Sequence, residues 1–300
     1  MIKNLLELYD KYGIQYKINE PMSDHTTFRI GGCADVYATP ESEELLIRAV
    51  QIAREENVRY YVMGRGSNLL FSDDGYRGVV ISTLELRNIS VCGNTVICGC
   101  GASLNSIAVA ARDASLEGLA FAYGIPGLVG GAVFMNAGAY GGQISDVLVK
   151  STYFDPATGN IGTFTGAEHK FGYRESVYKE NPRLVILCAE FKLENGDRHK
   201  ITADMEDYMG RRRSKQPLEY PSAGSVFKRP VGHFAGRLIE ESGLKGKKIG
   251  GATVSEKHAG FIVNAGGATA KDVLELIDFI KSEVRKNYSV ELTCEVIFVE

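Results

Sequence analysis

Two glycine-containing stretches could bind a phosphate-bearing ligand through the backbone alone. The longer one, residues 118–142, reads GLAFAYGIPGLVGGAVFMNAGAYGG and contains eight glycines and no charged side chain. Glycine lets the main chain approach a ligand closely, with N–H groups facing it. We therefore expect a neutral groove that suits the diphosphate and the rings of a dinucleotide. A transmembrane helix is the alternative for an uncharged run, but Pro126, Asn136 and the glycines make a poor lipid-facing surface.

The shorter stretch, GRGSNLLF at residues 64–71, directly follows a predicted strand at residues 59–63. A strand, a glycine turn and small polar residues form a layout that binds phosphate. A plain tight turn is the alternative, because short glycine patterns are common. The Rossmann fingerprint and the Walker A loop are both missing from the sequence. If a nucleotide binds here, another fold must hold it.

Three polar residues outside these stretches are candidates for catalysis. Arg174 lies in FGYRES, Ser225 in YPSAGSVFKRP, and Glu295 in the closing ELTCEVIFV. An ordinary surface arginine and a turn-forming serine are the alternatives for the first two. Glu295 alternates with apolar residues in a predicted strand, so its carboxylate would face an apolar side and need a partner.

The elements that must position these residues follow from hydrophobic periodicity and turn signals. Helices are predicted at residues 5–12, 43–57 (capped by Ser42), 102–114, 201–215, 233–242 and 270–286. Strands are predicted at residues 34–39, 59–63, 78–82, 147–155, 161–165, 184–193, 260–263 and 290–299, with a hairpin turn at Gly93-Asn94. The many antiparallel hairpins favour an α+β fold over a doubly wound one.

Composition limits the function further. A chain of 300 residues with 44% hydrophobic and 24% charged residues suggests a globular protein of two or three subdomains. The net charge of −3 argues against non-specific nucleic-acid binding. The amphipathic first residues lack a signal-peptide pattern, so we expect a cytoplasmic protein. The six scattered cysteines are expected to be reduced core residues, and no metal site is expected.

Six motifs together resemble those of the UDP-N-acetylenolpyruvoylglucosamine reductase family, in the family's order. They are HTTFRIGG, GRGSNLL, GIPGLVGGAVFMNAGAYG, FGYRES, PSAGSVFKRP and CEVIFV. The resemblance covers nearly the whole chain. It implies a two-subdomain FAD-binding module of the vanillyl-alcohol-oxidase type, here residues 1–82 and 83–206, plus a C-terminal α+β substrate domain, residues 207–300. The last strand could return to the cleft that holds FAD and substrate.

The resemblance also implies the ligands and the residues that bind them. FAD would be bound non-covalently, and NADPH would be the hydride-donating cosubstrate. The implied FAD-binding residues are Gly64, Arg65, Gly66, Ser67, Asn68, Leu69, Gly124, Pro126, Gly127, Gly130, Gly131, Asn136, Ala137 and Gly138.

The implied reaction is the reduction of the enolpyruvyl ether of a UDP-sugar to UDP-N-acetylmuramate, for peptidoglycan synthesis and hence cell-wall biogenesis, cell shape and division. Hydride from flavin N5 would reach the vinyl methylene carbon. Arg174 would stabilise the enolate-like charge, Glu295 would hydrogen-bond the same carboxylate or enol if it is held protonated, and Ser225 would donate a proton to the neighbouring carbon.

One departure from part of the family concerns the substrate diphosphate. The span from Arg174 to Ser225 is too short for the tyrosine-bearing insertion found in one branch, so the chain resembles the branch without it. Lys215, Lys228 and Lys257 are unranked candidates for holding the diphosphate. The partner expected is a small-molecule substrate only, without nucleic acid or membrane insertion, and the chain is expected to be a monomer or weak dimer.

Two other functions stay open at this point. An oxidase of the same flavin superfamily would act on a small alcohol and could attach FAD covalently, through His25 or Cys33 for example. A nucleotide-binding module without catalysis would leave Arg174, Ser225 and Glu295 without a role.

Overall fold

The computed structural model describes residues 2–300. The α-helices in this range are α1 (Ile2–Tyr12), α2 (Glu43–Glu55), α3 (Leu104–Asp113), α4 (Val129–Met135), α5 (Val177–Glu180), α6 (Arg198–Lys215), α7 (Ala235–Glu241) and α8 (Ala270–Tyr288). The six predicted helices are confirmed as α1, α2, α3, α6, α7 and α8, with ends that differ by a few residues. The short helices α4 and α5 were not predicted.

The strands are β1 (Gln15–Pro21), β2 (Cys33–Thr39), β3 (Tyr60–Met63), β4 (Leu69–Phe71), β5 (Tyr76–Ser82), β6 (Ile89–Cys92), β7 (Thr95–Gly99), β8 (Leu116–Glu117), β9 (Gly138–Ala139), β10 (Gly142–Gln143), β11 (Leu148–Asp155), β12 (Asn160–Thr165), β13 (Val185–Lys192), β14 (Glu194–Asn195), β15 (Lys248–Ile249), β16 (Ala252–Val254), β17 (Ile262–Asn264) and β18 (Ile297–Val299).

Side-chain caps explain where the principal helices begin. The Ser42 hydroxyl accepts a hydrogen bond from the Leu45 amide at 3.2 Å, which confirms the predicted cap of α2. Helix α8 begins with a reciprocal capping box, in which Thr269 and Asp272 each accept from the other's backbone amide at 3.0 Å. These bonds satisfy amides that the first helical turn leaves without a partner.

The chain forms two compact units. The first comprises the residues up to Ile18, Val36–Arg65 and Gly78–Arg212, and the second comprises Asn19–Asp35, Gly66–Arg77 and Arg213–Glu300. Each unit has its own cluster of buried apolar side chains. The division into three parts at residues 82 and 206 stays a prediction.

An antiparallel sheet of five strands, in the order β12-β11-β13-β7-β6, forms the centre of the first unit. The predicted hairpin is confirmed, because Cys92 of β6 lies opposite Thr95 of β7 across Gly93-Asn94. The expectation that the cysteines are core residues is confirmed for Cys98 and Cys100, which are buried, and is wrong for Cys92, which is exposed; the other three are partly buried. A further sheet has the order β1-β2-β5-β3, in which β3 and β5 are parallel. Its strand β3 leads directly into the loop at residues 64–68.

The second unit contains the antiparallel sheet β15-β16-β17 and the parallel pair β4 and β18. The predicted continuous strand at residues 290–299 is wrong in its first part. Cys294 forms a single bridge to Phe227, the chain bends at Val296, and only Ile297–Val299 pairs with β4. The chain changes its pairing partner at this bend, and therefore strict alternation does not extend from Ile297 back to Glu295.

The α+β class is confirmed by this mixture of separate helices and antiparallel sheets. Within residues 2–300, helices long enough to cross a membrane are not apolar enough to do so. The same residues contain no cluster of three or more histidine, cysteine, aspartate or glutamate side chains suited to a metal ion.

Candidate active site

Gly64, the first residue of the loop at residues 64–68, lies against the glycine-rich stretch. A β-carbon added to Gly64 would lie 3.1 Å from Cδ1 of Leu128, so little space separates these two residues. Gly66 has a φ of +65°, in the left-handed region that favours glycine. The structure thus brings the two predicted ligand-binding stretches together at Gly64 and Leu128.

The backbone N–H groups of this loop take no part in the main-chain hydrogen bonding of residues 2–300. Within residues 2–300, no backbone carbonyl accepts a hydrogen bond from the N–H groups of residues 64–68. The carbonyls are used differently: that of Gly66 accepts from the Thr27 amide, and that of Asn68 accepts from the Ile297 amide. Successive unpaired amides in a turn form a concave anion-binding site, so the loop fits a diphosphate.

The glycine-rich stretch has a packed side and an open side. In α4, a β-carbon on Gly130 would lie 3.1 Å from Cβ of Cys100, whereas one on Gly131 would meet no other heavy atom within 4 Å among residues 2–300. Gly130 therefore allows close packing, and Gly131 faces open space where a ring system could lie.

Most amides around this helix are already used within the protein. The Val129 amide donates to the Ala102 carbonyl at 2.9 Å, the Gly130 amide to the Cys100 carbonyl at 2.8 Å, and the Gly127 amide to the Ile125 carbonyl at 2.9 Å. The expectation that amides of this stretch bind the diphosphate does not hold at Gly127 and Gly130. Gly127 and Gly130 stay predicted lining residues of the groove, without free amides to offer.

Arg174 occupies a tight turn whose backbone is strained. Gly172 and Glu175 exchange two backbone hydrogen bonds of 3.2 Å, with Tyr173 and Arg174 between them. Arg174 has a φ of +58°, and the left-handed conformation costs a residue with a side chain about 1–2 kcal/mol. Its guanidinium donates to the carbonyls of Asn136 at 3.3 Å and Gly138 at 3.2 Å. The cation is thus bonded to the end of the glycine-rich stretch.

Asn136 is the residue that joins this turn to helix α4. It ends the helix in the left-handed conformation and is 1% exposed. Its side-chain amide donates to the Gly172 carbonyl at 2.9 Å, and its side-chain oxygen accepts from the Ser145 amide at 3.0 Å. Asn136 was expected to line the flavin groove with its backbone; its buried side chain holds the Arg174 turn.

Ser225 and Glu295 lie on neighbouring segments of the second unit. Ser225 is exposed, follows Gly224 with its φ of +77°, and forms an isolated bridge with Phe261. The next residue, Val226, donates to the Gly260 carbonyl at 2.9 Å and accepts from the Glu295 amide at 2.7 Å. The backbone of Glu295 therefore lies beside the serine segment.

Two residues of the second unit, Asn68 and Thr27, support the segments that carry Glu295 and Ser225. The sequence analysis did not predict this supporting role. The Asn68 side-chain amide donates to the Glu295 carbonyl at 3.0 Å, which fixes Glu295 from its other side. The Thr27 hydroxyl donates to the Ser222 carbonyl at 2.7 Å, and the Ser222 amide returns a bond of 3.1 Å to Thr27. Both residues belong to motifs of the sequence, GRGSNLL and HTTFRIGG, but their distant partners could not be found from spacing.

Arg174 belongs to the first unit, and Ser225 and Glu295 belong to the second. Of the lysine candidates, Lys257 donates to the Arg213 carbonyl at 2.8 Å and lies 3.6 Å from the Glu219 carboxylate. Lys215 is exposed at the last position of α6. The His25 ring lies 2.9 Å from the Glu20 carboxylate.

Family comparisons agree with both parts of the predicted architecture. Residues 34–165 match the family model described as FAD binding domain. Residues 216–299 match the model described as UDP-N-acetylenolpyruvoylglucosamine reductase, C-terminal domain. A FAD-binding module followed by a C-terminal reductase domain is the arrangement that the motifs predicted.

Proteins that match nearly the whole chain carry the same reductase name as the C-terminal family model. The UDP-N-acetylenolpyruvoylglucosamine reductase of Clostridium beijerinckii is 48% identical over 295 residues, which cover 98% of this chain and 96% of the relative. The crystal structure of the Thermus caldophilus UDP-N-acetylenolpyruvylglucosamine reductase matches with a TM-score of 0.80 and 35% identity, over 96% of this chain and 99% of that one.

A more distant structure bears on the fold alone. The BBE-like 1 protein of Physcomitrella patens matches with a TM-score of 0.50 and 16% identity, over 64% of this chain and 44% of that one. The predicted FAD-binding module is confirmed in its fold. The long, high-identity matches show that the chain belongs to the UDP-N-acetylenolpyruvoylglucosamine reductase family.

Proposed function

We propose that this chain uses NADPH and non-covalently bound FAD to reduce the enolpyruvyl ether of a UDP-sugar to UDP-N-acetylmuramate, in peptidoglycan precursor synthesis. The observation that carries the proposal is the attachment of the Arg174 turn to the glycine-rich stretch. Two carbonyls of that stretch, at Asn136 and Gly138, accept from the guanidinium. A fixed cation is thereby held beside the surface that fits a flavin.

The residues present fit FAD. The loop at residues 64–68 offers amide donors for the diphosphate, and the open side of Gly131 offers room for a ring system. When bound, FAD would accept a hydride from NADPH and pass it to the substrate. The proposed binding residues are Gly64, Arg65, Gly66, Ser67, Asn68, Leu69, Gly124, Pro126, Gly127, Gly130, Gly131, Asn136, Ala137 and Gly138.

Each proposed catalytic residue has a distinct role. Arg174 is permanently cationic and stabilises the negative charge that develops beside the substrate carboxylate. Glu295, in its protonated form, donates a hydrogen bond to the same carboxylate or enol. Ser225 delivers a proton to the neighbouring carbon; a hydroxyl is a very weak acid, but a carbanion is a base strong enough to take its proton. The exposed position of Ser225 allows its hydroxyl to reach the substrate.

Finer features complete the proposal. The chain acts as a monomer or weak dimer in the cytoplasm, where NADPH and UDP-sugars are found, and its substrate domain begins near residue 207. Lys215, Lys228 and Lys257 are the unranked candidates for holding the UDP diphosphate; of these, Lys257 donates to the Arg213 carbonyl and lies close to Glu219.

Denaturation of the purified protein tests the cofactor, and additions of NADPH and substrate to the native protein test the reaction. Acid or heat should release a free yellow chromophore into the supernatant. Anaerobic NADPH should bleach the flavin band of the native protein, and the enolpyruvyl UDP-sugar should restore it. Flavin that stays with the precipitate would favour the oxidase, and a colourless protein that takes up no FAD would favour the non-catalytic module.

A further inference from the structure

A buried network of polar side chains lies in the first unit, apart from the glycine motifs. It consists of Ser151 on β11, His169 at the end of the 3-10 turn Gly166–His169, and Tyr178 on α5, each of them 0% exposed. The Ser151 hydroxyl lies 2.8 Å from Nε2 of His169 and 2.6 Å from the hydroxyl of Tyr178. A buried polar network of this kind is costly unless every member has a partner.

The surroundings determine the direction of every proton in the network. Nδ1 of His169 lies 3.0 Å from the Gly166 carbonyl, which can only accept, so Nδ1 carries hydrogen. Burial lowers the pKa of His169, which keeps the ring neutral and makes Nε2 an acceptor. Ser151 must then donate to His169 and accept from Tyr178. The network is a one-way chain from Tyr178 through Ser151 and His169 to Gly166.

This hydrogen-bond network holds both ends of the segment that carries Arg174. On the upstream side, the His169 ring stacks on the Phe171 ring, with centroids 5.0 Å apart and planes at 2°. On the downstream side, Tyr178 belongs to the short helix that follows the turn. The left-handed Arg174 between them is strained, and such a conformation persists only where the surroundings determine it.

We propose that Tyr178, Ser151 and His169 are positioning residues for Arg174, which they orient toward the substrate by fixing the two ends of its turn. The proposal rests on the proposed function, in which Arg174 stabilises charge on the substrate. A misplacement of about 1 Å can cost roughly 100-fold in rate, so a hydrogen bond far from the substrate can affect catalysis.

Tyr178→Phe is the variant of choice because it removes one hydroxyl and leaves the bond between Ser151 and His169. Tyr9→Phe is the matched control: Tyr9 is also 0% exposed in the first unit, and its hydroxyl donates to the Ala49 carbonyl at 3.1 Å. Stopped-flow absorbance should show that Tyr178→Phe slows flavin reoxidation by the enolpyruvyl UDP-sugar by about 10- to 100-fold. Flavin reduction by NADPH should stay unchanged, and Tyr9→Phe should change neither step.

A double-mutant cycle with Arg174→Ala separates positioning from general destabilisation. If Tyr178 acts through Arg174, Tyr178→Phe should cause no further slowing of reoxidation when Arg174 is already alanine. Multiplying effects, equal slowing of both steps, or unchanged reoxidation in Tyr178→Phe would overturn the positioning role. If Arg174→Ala alone left reoxidation unchanged, the catalytic role of Arg174 would fall, and the positioning role with it.

Discussion

Arg174 and Ser225 are held in opposite ways. The guanidinium of Arg174 is bonded to two carbonyls, and its backbone lies in a left-handed turn to which the buried Asn136 side chain is hydrogen-bonded at Gly172. Ser225 has an exposed side chain on an irregular segment. Main-chain bonds fix that segment, such as those from Val226 to Gly260 and from Glu295 to Val226, together with one side-chain bond from Thr27 to the Ser222 carbonyl.

The difference matches the chemistry proposed for each residue. A charge that stabilises a transition state is most effective when its position is fixed beforehand, because no reorganisation is then needed during the reaction. A proton donor must reach the reacting carbon at the moment of transfer, so a side chain free to rotate is suited to the task. At Arg174 we therefore expect activity to depend on a rigid position. At Ser225 we expect it to depend on the presence of the hydroxyl.

Ser225→Ala should give the largest effect. Reoxidation of the flavin by the enolpyruvyl UDP-sugar should slow by roughly 10²–10⁴-fold, the usual consequence of losing a general acid. Flavin reduction by NADPH involves no proton delivery to the substrate carbon, and its rate should stay near that of the wild type. Stopped-flow absorbance at the flavin band measures the two steps separately.

Conservative replacements provide the control for this prediction. Ser225→Thr keeps the hydroxyl at an exposed position and should retain far more activity than Ser225→Ala. Arg174→Lys keeps the charge but loses the planar fork that bonds two carbonyls, and should slow reoxidation by about 10²–10³-fold. If Arg174→Lys reoxidised the flavin normally while Ser225→Thr did not, the contrast between a cation that must be fixed and a hydroxyl that need only be present would be contradicted.

Glu295 is intermediate between Arg174 and Ser225. Its backbone is fixed from both sides, by Val226 and Asn68. Glu295→Ala should slow reoxidation by about 10²–10³-fold, and Glu295→Gln should retain more activity because an amide can still donate to the substrate carboxylate. Glu291→Gln is the control, an exposed carboxylate that pairs with Arg285 at 2.9 Å. Wild-type turnover in both Glu295 variants would make this residue structural.

The elements were predictable from the sequence where local signals decide the structure. The cap at Ser42, the hairpin at Gly93-Asn94 and the periodicity of α8 depend on residues close in the chain, and all three are confirmed. Helix α4 was missed because Gly130 and Gly131 each disfavour a helix by about 1 kcal/mol relative to alanine. Packing against Cys100, far away in sequence, stabilises it nonetheless.

The candidate site was even harder to predict, because it depends more on contacts between residues that are distant in the sequence. The sequence motifs indicated Arg174, Ser225 and Glu295, but the residues that hold them are joined by contacts between distant parts of the chain. The bend at Val296 depends on a change of partner from Phe227 to β4, which strand alternation cannot indicate. The partners of Asn136 and Thr27 likewise come from the folded chain, at Gly172 and Ser222.

Thr27→Val should give the smallest effect and shows how far the placement of Ser225 depends on a side-chain anchor. Valine has nearly the shape of threonine but cannot donate to the Ser222 carbonyl, and the lost bond should lower the free energy of unfolding by about 1 kcal/mol. Because the main-chain bonds of Val226 remain, reoxidation should slow only a few-fold, while flavin reduction stays unchanged. Thr26→Val is the matched control: the Thr26 hydroxyl donates to the Ile30 carbonyl at 3.3 Å, so its loss should cost stability without slowing reoxidation. Thermal unfolding and stopped-flow absorbance measure the two quantities. If Thr27→Val slowed reoxidation as much as Ser225→Ala, Ser225 would require a fixed position like Arg174, and the contrast between the two residues would be lost.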